Sequence, residues 1–427
     1  MRSAFSYTSH SFNCSKAYTM TNTNQTPVVH ISDIRAWRKC RRKHYFSSSM
    51  HMNLEPDYPY IPFFDGRGVH EALHKKYETG ADTLDTLHSW RDAEYARMEA
   101  SDSGLSLEDK HRLDEHVDVL EGMLAHYDLW QENQSLELDR NCDKNLEFIA
   151  LELAAEDVPL IWHEGYHGWQ PPAWGPGPSP SWPLFHFGYW YPRYVVDVYY
   201  GLRLDGVVRR KSDGAYWLFE TKTTRSIMEL KKSLDNDNQA GMYIWAAQQI
   251  LGVQISGVIY NILRKKIPAV AKLVTKSGMT ELSQDKSLDT TFDFYKYQLD
   301  ALAQQITDQH DSPEDYESTK RQLYDSHRPM LERLWAEPNT FFERYEVRRT
   351  QTELLNLVND IRASAKEMLD PTTYANPSED WSNCNYCSFK RPCLLMNKGV
   401  SAEQATETGF RLREKWSEPA YIGDETR

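Results

Sequence analysis

Apolar positions along this chain follow two periods, and the switches between them divide it into blocks. Residues 29–46 repeat at helical spacing, with Ile34, Trp37 and Cys40 three apart and Ser32-Asp33 as the start signal. A Pro- and aromatic-rich loop spans 47–65. Gly66-Arg67-Gly68-Val69-His70 opens a helix to about Gly80. A second helical stretch covers about 84–136, with Leu113, Val117, Leu120, Met123 and Leu124 as its apolar stripe. From 146 to 161 the pattern turns strand-like. Segments 194–200, 202–210 and 215–223 continue it, with Asp213-Gly214 as a hairpin turn. Residues 238–251 return to helix and 253–263 to strand. The stretch 288–335 is long, charged and mostly helical, 340–349 reads as strand and 351–369 as helix. The predicted fold class is α/β: a mixed core flanked by helices.

Two segments fit neither period. Residues 162–193 hold five tryptophans, seven prolines and five glycines, an irregular aromatic insertion that either covers the sheet or stacks single-stranded bases. The first 30 residues are Ser/Thr-rich and lack Asp and Glu, as transit peptides do, yet only Arg2 and Lys16 are basic. They read as a disordered leader, with Met20 as an alternative start. The chain divides into a leader (1–28), a basic segment (29–65), a helical region (66–145), the mixed core (146–266), a second helical region (267–377), a cysteine-rich segment (378–396) and a polar tail (397–427).

Composition narrows the class. Hydrophobic residues at 40% and charged residues at 26% support a sizeable core and exclude a fully disordered chain. Mean hydropathy is −0.69. No apolar run approaches the ~18 residues of a membrane span, so no membrane partner is expected. A net charge of −13 argues against a blanket nucleic-acid coat but leaves room for a local basic channel.

Asp205, Glu220 and Lys222 carry the first candidate chemistry. Positions two apart on a strand share a face, so Glu220 and Lys222 point the same way. Paired carboxylates suit a hard divalent cation such as Mg²⁺ or Mn²⁺, and a nearby ammonium can orient water and offset developing charge. A surface hairpin with an ion pair would show the same triplet. Asp197 shares strand parity with Asp205. Asp205 is preferred because it precedes Gly-Val-Val and lies a hairpin's length before Glu220. Glu147 and Glu152, on the preceding strand, read as a solvated face. Downstream, Gln239 and Tyr243 sit one turn apart on a helix face.

With His70 upstream, this order resembles the RecB-like branch of the PD-(D/E)XK nuclease superfamily, which includes AddB-type nuclease domains and CRISPR-associated RecB-like exonucleases. Its motifs are an early-helix His, an Asp strand, an E-x-K strand and a Q-x-x-x-Y helix. The resemblance covers roughly 30–395. It implies a restriction-endonuclease-like sheet, metal ligation by His70, Asp205 and Glu220, a catalytic Lys222, and Gln239 and Tyr243 positioning DNA and active site.

Cys384, Cys387 and Cys393 crowd into ten residues, too few and too late in a long chain for a secreted disulfide framework. Three clustered thiols need a fourth soft ligand, and Cys40 is available. The same nuclease branch resembles this layout. There the four cysteines hold a 4Fe-4S cluster that joins the chain ends; zinc on the same thiolates is the alternative. Cys14 and Cys142 lie outside the pattern.

Six basic residues occupy 35–43, and Arg209-Arg210-Lys211 and Arg264-Lys265-Lys266 add two more clusters. Local charge counts more than net charge beyond a Debye length of ~8 Å, so these clusters, Arg41 and Arg42 among them, are candidates for DNA phosphates, with a solvated face as the alternative. The expected protein is a metal-dependent deoxyribonuclease. The resemblance alone implies an exonuclease on single strands or DNA ends, in recombination, repair or replication. The chain lacks a G-x-x-x-x-G-K-[ST] phosphate loop, so any unwinding falls to a helicase or recombination partner or to frayed ends. The expected place is the cytoplasm of a bacterial or phage-infected cell, or an organelle. A non-catalytic DNA-binding scaffold that keeps the cysteine site is the rival reading.

Overall fold

The computed structural model describes residues 26–413 apart from 57–60, 101–103, 136, 166–192, 277–278, 309–312 and 386. The expected leader, bar its last three residues, and most of the Trp/Pro insertion lie outside them.

The N-terminal segment folds as β1 (Val28–His30), α1 (Ile31–Lys39), α2 (Arg41–Ser47) and β2 (Leu54–Pro56). The start of α1 lies two residues earlier than Ser32-Asp33 suggests. His30 is its N-cap, and the Asp33 carboxylate accepts the His30 backbone N–H at 3.0 Å. Cys40 does not continue the helix. Its backbone is extended (φ −164°, ψ 109°), and it separates α1 from α2. Three helices follow: α3 (Ile61–Thr79), α4 (Thr83–Glu99) and α5 (Leu107–Asn133). The expected single stretch over 84–136 is therefore two helices. A fresh N-cap at Ser106, whose hydroxyl accepts the Asp109 N–H, restarts the second.

The core runs β3 (Leu146–Gly165), β4 (Arg193–Arg210), β5 (Tyr216–Thr224), α6 (Ile227–Leu234), α7 (Asn238–Leu251) and β6 (Ile255–Arg264). Segments 194–200 and 202–210 form one strand, β4, because Gly201 continues the ladder opposite His30 of β1. Gly252 ends α7 in the left-handed region (φ 65°), which favours a residue without Cβ. The remaining elements are the hairpin β7 (Leu273–Lys276) and β8 (Met279–Leu282), then α8 (Phe292–Thr307), α9 (Pro313–Ser326), α10 (Arg328–Ala336), β9 (Phe342–Val347), α11 (Gln351–Leu369), α12 (Trp381–Asn385), α13 (Lys390–Asn397), α14 (Ala402–Ala405) and β10 (Phe410–Leu412).

The main sheet runs β1-β4-β5-β6-β9, with β3 paired along β4. It is mixed: β1–β4 and β5–β6 are parallel, and β3–β4, β4–β5 and β6–β9 antiparallel. One face buries Leu204, Leu218, Tyr260 and Ile262 under α1, α7 and α11. Against the other, Val69, Leu73, Leu124 and Tyr127 of α3 and α5 pack on Leu263 and Phe342. The long helical stretch builds a separate apolar cluster from α8, α9, α10 and the β7–β8 hairpin. Of the expected tail, the described residues 397–413 pack on the body: β10 pairs antiparallel with β2, and Phe389 stacks between Phe46 and Phe410.

Candidate active site

The site begins where β4 and β5 part. Their ladder covers Arg209↔Tyr216 to Gly206↔Phe219 and stops there. Beyond that fork β5 pairs only with β6, so the Thr221 N–H on the open edge has no strand partner and donates to Asp205 Oδ2 at 2.7 Å. The two motifs thus meet across a splayed strand pair. Glu220 is 3% exposed, and Lys222, on the same face, donates to Glu220 Oε1 at 3.0 Å. From α3, His70 Nδ1 lies 3.2 Å from Asp205 Oδ1. From α7, Gln239 Nε2 reaches Glu220 Oε1 at 3.4 Å. Tyr243, one turn on, is half-buried against the sheet.

Burial and the Asp205 charge push the Glu220 carboxyl up, against the pull of Lys222 and His70. Burial also acts on Asp205, but His70, the Thr221 N–H and Lys222 outweigh it and hold that carboxyl low. Burial pulls the His70 imidazole down, and its Asp205 contact more than compensates, leaving it raised. Lys222 is likewise raised, since Glu220 and more distant Tyr260, Asp237 and Asp205 overcome its desolvation. Two inward carboxylates of opposite tendency beside one ammonium suit a hard divalent cation as donor set. Among the described residues, no three His, Cys, Asp or Glu side chains already stand in metal-holding geometry. His70 instead turns its Nδ1 to Asp205.

The alternatives separate by place. Asp197 pairs with His163 at 2.9 Å on the exposed β3–β4 arm. Glu147 and Glu152 pair across the strands with Arg209 (2.8 Å) and Arg203 (2.6 Å). Asp237 and Tyr260 carry no expectation from the sequence, and Arg35 is expected only within the basic run facing DNA phosphates. Asp237 caps α7 and accepts the Tyr260 hydroxyl at 3.2 Å and the Arg35 guanidinium. An Asp two residues before the Gln of a Q-x-x-x-Y helix was a readable N-cap signal. The 204-residue separation of Arg35 from Gln239 left no such sign.

The basic clusters are largely engaged within the protein. Arg42 is 4% exposed and donates to Ala375 O and Asn397 Oδ1, so it holds chain segments together and its guanidinium is closed to phosphate. Arg41 pairs with Glu367 and lies over the Trp37 ring. Arg210 is buried between Glu346 and Asp213, Lys265 meets Asp65, and Arg264 and Lys266 share Asp289.

All four pattern cysteines are free thiols in one lobe. Because Cys40 leaves the helix, its Sγ accepts backbone N–H groups from Lys43 (3.4 Å) and Ser378 (3.3 Å). Cys387 and Cys393 pack on Phe46, Leu54 and Phe389. Burial, then the charges of Cys40 and Cys393, push the Cys384 thiol up. Cys142 is buried elsewhere, beside the Asp143–Arg344 pair.

The mixed sheet thus brings Asp205, Glu220 and Lys222 together at one splayed strand pair. The chain matches the PD-(D/E)XK nuclease superfamily over residues 31–394 and belongs to it. Members are generally nucleases and typically use Mg²⁺ or Mn²⁺. No curated protein matches the chain.

Proposed function

We propose that the protein is a metal-dependent deoxyribonuclease acting on single-stranded DNA or DNA ends, with Asp205 and Glu220 as metal ligands, His70 beside them and Lys222 as the catalytic lysine. The observation that carries this reading is the fork: Asp205 held by the Thr221 N–H, opposite a buried Glu220 bonded to Lys222. A divalent cation bound there supplies Lewis acidity at the scissile phosphate and a water of lowered pKa. The chain's own part is electrostatic. Asp205 stays ionised, Lys222 places a positive charge where the phosphorane charge develops, and Gln239 keeps Glu220 turned inward. Tyr243, half-buried one turn beyond Gln239 on the same helix face, is suited to help position the DNA strand and the active site.

Cys40, Cys384, Cys387 and Cys393 suit a 4Fe-4S cluster: four thiols, no disulfide, and N–H donors already aimed at one sulfur. Zinc would use the same donors. Iron analysis and absorbance near ~400 nm of anaerobically purified protein separate them, since zinc is silent there. A helicase or recombination partner would supply unwinding. Among the described residues no helix is long and apolar enough to cross a membrane.

The test is cleavage of end-labelled linear and circular DNA, single- and double-stranded, with Mg²⁺ or Mn²⁺, wild type beside Glu220→Ala. Metal-dependent loss of linear strands in wild type alone is expected. Cutting of circles would add endonuclease activity. No cleavage by iron-loaded protein that still binds DNA would favour the scaffold reading.

A further inference from the structure

We infer that Arg35, Asp237 and Tyr260 form a positioning relay that fixes the Gln239 amide against Glu220 and makes the seating of α1 a condition for catalysis. The inference rests on the nuclease reading above.

A glutamine amide has a donor end and an acceptor end, and its orientation is set by its neighbours. Gln239 is 5% exposed. Arg35 Nη1 donates to Gln239 Oε1 at 3.3 Å, which leaves the amide nitrogen to face Glu220 Oε1 at 3.4 Å. The guanidinium and the carboxylate select the same orientation, because the flipped amide would set its oxygen against Glu220 and its nitrogen against Arg35. Asp237 holds Arg35 in place: its Oδ1 receives the other guanidinium nitrogen and also the Gln239 backbone N–H at 2.8 Å. Its Oδ2 accepts the hydroxyl of Tyr260, which stands beside Glu220 in the β5–β6 register. The same Glu220 oxygen that Gln239 approaches is the one Lys222 bonds at 3.0 Å. One connected set of bonds therefore runs from α1 to the E-x-K strand. Because α1 ends at Cys40, the cysteine lobe and the active site meet through this helix. Arg35 belongs to the basic run that the sequence offers to DNA, and the structure turns it inward instead.

The relay is tested with full-length Arg35→Ala, Asp237→Asn, Tyr260→Phe and the Arg35→Ala/Asp237→Asn double variant. kcat and KM are measured on end-labelled single-stranded DNA with Mg²⁺. Mn²⁺ affinity without DNA is followed by the free-ion EPR signal. Each single change is expected to lower kcat about tenfold with KM within about twofold, because placement and not DNA affinity is lost. The double variant should be no worse than the poorer single, since both act through one amide. Mn²⁺ affinity should fall severalfold. A raised KM at unchanged kcat would make Arg35 a DNA contact and overturn the relay, as would losses that multiply in the double variant. If Asp237→Asn does not fold, Tyr260→Phe removes only a hydroxyl and decides by the same readouts. If the wild type binds Mn²⁺ but cuts nothing, weaker Mn²⁺ binding in the variants upholds the relay while the nuclease reading falls.

Discussion

Glu220 sits 3% exposed in a strand that otherwise buries Trp217, Leu218 and Phe219. A carboxylate there survives only with partners, and Lys222 and Gln239 provide them. Lys222→Ala should leave DNA binding within severalfold of wild type while cleavage falls by about 10²–10³ or more, read in a single-turnover assay beside a binding titration. Wild-type rates would remove Lys222 from the chemistry. A second buried carboxylate predicts a pH effect. Burial works against Asp33, but the hydrogen bond and charge of His30, with a contribution from His44, pull it down to about 2 from an ordinary 3.8. A depressed carboxylate stabilises the fold above its unfolded value, and that contribution disappears as pH falls through the folded one. Asp33→Asn should therefore cost about 2 kcal/mol near pH 6 by urea unfolding, with wild type and variant converging toward pH 2. A constant difference across pH would assign the effect to packing.

Helix α11 shows how one element can serve two regions. Its N-terminus is a reciprocal capping box: Thr350 accepts the Glu353 N–H at 3.2 Å, and Glu353 accepts the Thr350 N–H at 2.6 Å. Its buried stripe, Leu354, Val358, Ile361 and Ala365, packs on α7 and the sheet, while Ser364 and Glu367 grip Arg38 and Arg41 beside the cysteine lobe. Thr350→Ala should lower unfolding free energy by about 1 kcal/mol, and Thr350→Ser should be near neutral. At α8, burial raises the Asp293 carboxyl to about 6. A raised carboxyl favours the fold below its unfolded pKa, and that advantage is lost as pH rises through 6. Asp293→Asn should accordingly gain thermal stability over wild type at pH 7.5, with the gain vanishing below about pH 4. No gain at pH 7.5 would show that the helix N-terminus already stabilises the charge.

Across the whole molecule, the first and last described segments share one lobe. Cys40 and Ser378 bond across 338 residues, β2 pairs with β10, and Phe46, Phe389 and Phe410 stack. If a cluster closes this lobe, Cys387→Ser should lose iron and the ~400 nm band and speed proteolysis near 378–413, followed by mass spectrometry. Unchanged metal content and protease resistance would show that aromatic packing alone holds the ends.

Several features were set by sequence alone because their causes are local. The helix over 238–251 starts at an Asp cap and stops at a left-handed Gly, and the helix over 351–369 opens with a capping box, so both are written in neighbouring residues. Glu220 and Lys222 share a face because strands have period two. Tertiary structure decided what depends on distant partners. Cys40 follows an apolar helical repeat, yet it leaves the helix to meet Ser378. Asp205 and Asp197 share parity, and only the fork where β4 and β5 part places one beside Glu220. Arg35 and Arg42 read as surface charge, and their inward turn follows from Asp237 and Asn397, both more than 200 residues away. Periodicity and caps act over a few residues, whereas the pairing of a buried charge is settled only when the chain brings its partner to it.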